Sequence, residues 1–150
     1  MVRLEFSIEI ERSAEDIYEL VGDPENDPKW QGAVVDVKKL TPGPIRTGSR
    51  YRHTLRMLGK RVAVEVEFIE RRLHAGYTMQ SVSAPFDFET RVELTPVRTP
   101  DGPGTRVETI VVGRPVGAAR IAAVVLSRHR AAEIDRDLRT LKRKMEAGQL

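Results

Sequence analysis

"VVLSRHRAAEIDRDLRTLKRKM", residues 124–145, decides the fold of this 150-residue chain, because here the apolar pattern changes period. Val124, Ser127, Ala131, Ile134, Leu138, Leu141 and Met145 recur at steps of three and four. That spacing puts them on one face of a helix expected over 116–147, with Gly148 as its stop. Most of the chain before it alternates with period two, as half-buried strands do.

Residues 2–10 place Val2, Leu4, Phe6, Ile8 and Ile10 on one face, with Arg3, Glu5, Ser7 and Glu9 on the other. Ser13 followed by Asp16 resembles a capping box with Asp in place of Glu, and it opens a short helix through about Val21. "GDPENDPKW", residues 22–30, breaks that helix and leads through a second short turn or helix to Trp30. Further strands are expected near 33–40, 49–57, 61–70, 74–82, 86–96 and 104–113. A two-residue turn at Gly59-Lys60 sets Arg52 opposite Glu67, whereas a turn one residue earlier sets Arg52 opposite Glu65. In both registers the outer face is an Arg/Glu mosaic.

Antiparallel strands that are apolar on one face need a cover, and the C-terminal helix is the only large candidate. The expectation is an α+β fold: a seven-stranded curved antiparallel sheet wrapped around that helix, with two short helices between strands 1 and 2. It forms a single domain over 1–150.

Composition narrows the function classes. Forty per cent hydrophobic and 31 per cent charged residues suit a soluble globular chain, and a net charge of +3 with mixed signs offers no nucleic-acid arm. The basic run at 139–144 reads as a solvated helix face. Cysteine is absent, which excludes disulfides and thiol catalysis. The N-terminus alternates and has no apolar signal core, and the stretch 115–127 is far short of the roughly 20 residues of a membrane span. The expected location is the cytoplasm. The oligomeric state stays open, with a homodimer among the options.

"GSRYRHTLRM", residues 48–57, raises the functional question. Alternation aligns His53 with Tyr51, Leu55 and Met57 on the face that ought to be buried. A buried imidazole needs a partner, so either a polar neighbour satisfies it or that face does not look onto a solid core. The inward series also includes Tyr77, Met79, Phe86, Phe88 and Thr90. The helix offers large residues in its C-terminal half but only Val124, Ser127 and Ala131 in its N-terminal half. Small residues there require bulk opposite or leave a hollow. Polar tips around that hollow resemble a lined pocket.

Several motifs carry a resemblance. A first strand, "SAEDIYELVGDP" at 13–24 leading to Trp30, "TGSR" at 47–50, "GTRV" at 104–107 and a long closing helix resemble the START-related helix-grip (SRPBCC) proteins. More narrowly, the chain resembles the polyketide cyclase/dehydrase and lipid-transport group over essentially its whole length. The resemblance implies a hydrophobic cavity between sheet and helix, and Trp30 recurs in the family at the end of the second short helix. It does not imply one activity, since members include cyclases, aromatases, and lipid and quinone carriers.

His53 is the candidate general acid or base. Its alternative is a core histidine bonded to Tyr51, Tyr77 or a backbone carbonyl. Arg120 and His129 fall off the helix stripe. No metal site is expected, because His53, His74 and His129 lack a close-spaced second ligand and 23–27 lacks the Gly and terminal Glu of a calcium loop. No nucleotide motif or Ser–His–Asp set is visible, and no cofactor is expected. Three readings follow: a protein that binds a hydrophobic small molecule (lipid, quinone or polyketide-like) in that cavity, a cofactor-independent polyketide cyclase/dehydrase-type enzyme using His53 or a cavity Tyr for proton transfer, and an interaction domain with a filled core.

Overall fold

The structure, a computed structural model, describes residues 1–84, 87–114 and 119–150, and their side chains except at 119–127. Strand β1 (Val2–Ile10) leads into helix α1 (Ala14–Val21) and a 3₁₀ helix (Pro24–Lys29). Then come β2 (Val34–Lys39), β3 (Arg50–Met57) and β4 (Lys60–Arg72). After them follow β5 (Gly76–Ser83), β6 (Asp87–Thr99), β7 (Gly102–Arg114) and helix α2 (Ala119–Glu146). The strands form one antiparallel sheet in the order β1-β7-β6-β5-β4-β3-β2. This is the seven-stranded antiparallel sheet with a long C-terminal helix that the change of period implies, and it agrees with the helix-grip fold that the resemblance implies.

Local chemistry accounts for the ends of the elements. Ser13 Oγ accepts from Asp16 N at 3.1 Å and so caps α1. The second half of the capping box does not form: the Asp16 carboxylate takes both Arg12 Nε and Nη2 at 3.1 Å instead. Asp23 Oδ1 accepts from Glu25 N at 3.1 Å and opens the 3₁₀ helix.

The hairpin between β3 and β4 selects the earlier of the two turns. Met57 pairs with Lys60, so Leu58 and Gly59 are the turn residues and Arg52 lies opposite Glu65. Arg52 reaches Glu65 at 3.0 Å and Arg50 reaches Glu67 at 3.4 Å, on the outer face. Both turn residues have positive φ, 50° at Leu58 and 75° at Gly59, the type I′ pattern that follows the twist of the strands. Register shifts in β2/β3 and β4/β5 add local bends to the sheet.

The inner face of the sheet is closed at one end by aromatic packing. Phe68 meets Tyr51 and Tyr77 edge-on, with ring centroids 5.8 and 5.4 Å away. Helix α2 contributes Ile134, Leu138, Leu141 and Met145 to the same core. Its last turns are tied down by polar contacts. Arg12 Nη1 donates to Met145 O at 2.8 Å, Lys142 Nζ to Glu9 O at 2.5 Å, and Lys144 Nζ to Lys29 O at 2.8 Å. Among the described residues no helix is long and apolar enough to cross a membrane.

A test follows from the turn. A leucine held at positive φ is disfavoured by about 1–2 kcal/mol, and the Leu58 side chain is largely exposed, so it regains little. Leu58→Asn, which creates the favoured Asn-Gly pair, is expected to raise stability by about 1 kcal/mol in urea unfolding. No gain, or a loss, counts against this turn.

Candidate functional site

The β-sheet leaves His53 without a polar neighbour in its own layer. Across the ladder it faces Val64 on β4 and Val37 on β2. Its partner comes from above the sheet. His53 Nε2 and Asp27 Oδ2 are hydrogen-bonded at 2.9 Å, and the two residues are only 9 % and 7 % exposed. Asp27 is held by the 3₁₀ helix, since its own carbonyl accepts from Trp30 N at 3.1 Å and Gln31 N at 2.8 Å. Breaking such a buried pair from one side costs on the order of 3–5 kcal/mol, because it strands the other partner. Burial pushes the Asp27 carboxyl above its ordinary value, and the bond to His53 opposes that rise.

Between sheet and helix lies a cavity of about 140 Å³, and Asp27 and His53 form part of its wall. Of the residues singled out in the sequence, Trp30 and Leu55 also line it. So do Tyr77, Met79, Phe88 and Thr90 on the central strands. Helix α2 meets the cavity through Arg130, Ile134, Asp137 and Leu138.

Two expectations about the lining are corrected. Tyr51 does not reach the cavity, because its ring is consumed in the packed end against Phe68. Its hydroxyl is buried, and burial pushes its pKa up to about 12. Ala131 is also absent from the lining. The helix meets the cavity through Arg130, Ile134, Asp137 and Leu138, that is, through one edge of the apolar stripe and the positions beside it. Val124, Ser127 and Phe86 lie outside the described residues and side chains.

The structure adds polar groups that the sequence pattern does not single out. Asp27 sits in a stretch that resembles only an incomplete calcium loop, and Asp137 falls three residues after Ile134, within the apolar stripe. Asp137 Oδ1 accepts from Gly32 N at 3.0 Å, which ties α2 to the segment after Trp30. Burial raises its carboxyl too, against the pull of that bond. Tyr77 is satisfied, its hydroxyl donating to Val21 O at 3.2 Å. His129 is exposed and pairs with Glu133 at 3.1 Å. Away from the cavity, the ligand atoms of Glu15, Glu19 and His74 lie within 4.8 Å of one another. Sequence spacing gives His74 no such neighbours; the fold brings α1 to it.

The raised carboxyl of Asp27 has a stability consequence. The folded chain holds this proton to a higher pH than the unfolded chain does. Its contribution is therefore full below the ordinary value of 3.8 and is lost as pH rises through the raised one. Asp27→Asn keeps the shape without the charge. The stability of the Asn variant relative to the unsubstituted protein is expected to rise with pH across that window in urea unfolding. A difference that stays flat with pH contradicts the burial argument.

Comparison with known proteins agrees with this geometry. The family model described as polyketide cyclase / dehydrase and lipid transport matches residues 1–146. A protein from Thermus thermophilus superposes with a TM-score of 0.82 at 17% identity, covering 99% of this chain and 100% of its own. A START superfamily protein from Mycobacterium smegmatis gives 0.65 at 17% identity, covering 97% and 94%. The di-domain aromatase/cyclase BexL of the BE-7585A biosynthetic pathway gives 0.75 at 18% identity, covering 97% of this chain and 47% of BexL. No curated protein matches the sequence. With its whole length to residue 146 matched and its sheet, grip helix and cavity in place, the chain belongs to the polyketide cyclase/dehydrase and lipid transport family.

Proposed function

We propose that this protein binds a hydrophobic small molecule of lipid, quinone or polyketide type in the cavity between the sheet and α2. The observation that carries this reading is the hollow itself. About 140 Å³ stays unfilled in a wall of Leu55, Val64, Val66, Met79, Val92 and Val111, with a few polar groups converging on it. Well-packed cores leave few voids larger than a water molecule. A cavity of about 150 Å³ holds a benzene-sized body, so this one takes a ring or a short chain segment.

The buried Asp27–His53 pair favours a second reading, proton transfer on the bound molecule in a cyclase/dehydrase-type reaction. Of the ionisable side chains the sequence offers for this step, His53 suits the role better than the cavity tyrosine. Tyr77 already donates to Val21 O, and burial holds its hydroxyl far above the ordinary range. In this reading Asp27 orients His53 and sets which nitrogen carries hydrogen.

Two measurements test these readings. Fluorobenzene is expected to bind the purified protein in fluorine NMR titration, and Val111→Phe, which fills the hollow, is expected to abolish binding while the protein still unfolds cooperatively. Undiminished binding in that variant removes this cavity as the site. For proton transfer, the protein is expected to speed exchange of the α-hydrogens of a small ketone with deuterated water. His53→Gln is expected to lose that acceleration while still binding the ketone; equal exchange with and without protein ends the catalytic reading.

A further inference from the structure

Two nitrogens on cavity-lining side chains are buried and take no hydrogen bond among the described residues: Trp30 Nε1 and His53 Nδ1. An orphaned buried polar group costs on the order of 1–3 kcal/mol, and native proteins seldom leave one without a partner. Tyr51 and Thr78 also have orphaned hydroxyls, but their side chains do not line the cavity. The two nitrogens are set apart from those hydroxyls because their side chains line the cavity.

The chemistry of that molecule follows from what the two atoms offer. An indole N–H only donates. The role of His53 Nδ1 depends on the proton shared with Asp27 Oδ2, 2.9 Å from Nε2. When the buried pair carries no net charge, the shared proton sits on Asp27 or on Nε2, and in both arrangements Nδ1 bears a hydrogen. Burial of both partners disfavours a net charge on the pair. Gln31, Thr90, Thr109 and Arg130 also line the cavity, but among the described lining side chains only Trp30 Nε1 and His53 Nδ1 are buried without a partner. Asp137 Oδ1 accepts from Gly32 N, and Arg130 Nη1 is paired with Glu133 at 3.2 Å. The unmet demand is for an acceptor.

We propose that the ligand of this cavity carries a hydrogen-bond-accepting oxygen, a carbonyl or a carboxylate, on a body of about one ring, with Trp30 Nε1 as the first donor to it and His53 Nδ1 as the second. The inference rests on the binding reading above and narrows it: a hydrocarbon chain alone leaves both nitrogens orphaned. A carbonyl compound and a carboxylic acid share the chemistry and are separated by the test.

Ethylbenzene, acetophenone and benzoate have nearly the same size and differ in the oxygen. In calorimetric titration of the intact protein, acetophenone or benzoate is expected to bind at least about tenfold more tightly than ethylbenzene, the worth of one good hydrogen bond. A preference for benzoate assigns a carboxylate, and one for acetophenone a neutral carbonyl. Trp30 is the sole tryptophan, so its indole N–H gives a single NMR signal. That signal is expected to move downfield with the tighter oxygen probe and not with ethylbenzene. Trp30→Phe, which keeps a ring but removes the N–H, is expected to bring the probes to similar affinity. Equal affinity of all three probes in the intact protein overturns the proposal and leaves an apolar pocket. The same holds if the indole signal does not respond or if Trp30→Phe keeps the full preference. Failure of all three to bind overturns the binding reading as well.

Discussion

The hydrogen bond between His53 and Asp27 is the constraint on which the rest of the site depends. It joins the third strand to the 3₁₀ helix, two elements that share no ladder, and it does so inside the protein. Each partner alone is an expensive group to bury. Together they satisfy one another and set the height of the 3₁₀ helix above the sheet. That height places Trp30, the residue at the end of the same helix, at the wall of the hollow. The connection between strands 1 and 2 thereby becomes part of the cavity wall.

The hollow exists because the two ends of the grip are filled differently. At one end Tyr51, Phe68 and Tyr77 lock edge-on, and Arg71 lies 4.4 Å from the Phe68 ring centroid. Beside it, Leu141 and Met145 of the helix are fully or almost fully buried, and Arg12 and Lys142 bind backbone at the helix end and the end of β1. These contacts fix the distance between helix and sheet. Further along, the sheet side of the hollow carries mostly short side chains, valines, threonines and one leucine, and the larger His53, Tyr77, Met79 and Phe88 stand at its wall without filling it. The space left over is a consequence of a rigid clamp at one end, and close packing elsewhere keeps it from collapsing.

The polar groups around the hollow are arranged so that most are spent on structure. Asp137 holds the Gly32 amide, Tyr77 holds the Val21 carbonyl, and Asp27 holds His53. Among the described residues that line it, two buried nitrogens, Trp30 Nε1 and His53 Nδ1, are left without a partner in a mostly apolar wall. A cavity of this composition discriminates among apolar molecules by the polar atom they carry, since a missing hydrogen bond inside a protein costs more than a missing methylene contact gains.

The sequence by itself determined the strands, the grip helix and the side of each strand that is buried, because periods of two and about 3.6 report burial directly. It also marked His53 as a residue needing explanation, since an imidazole in line with Tyr51 and Leu55 violates the pattern. The Arg52–Glu65 register remained one of two options, as the turn chemistry of Gly59 allowed both, and only the ladder chose the turn with Leu58 at positive φ. Tertiary structure alone decided who satisfies His53. Asp27 is 26 positions away and carries no local signal, since a carboxylate in a proline-rich turn reads as solvent-exposed until the chain folds back over the sheet. It likewise decided that Ile134 and Asp137, not Ala131, meet the cavity. Stripe spacing defines a face about a hundred degrees wide, and the rotation of the helix within that face is set by the contacts of its clamped end.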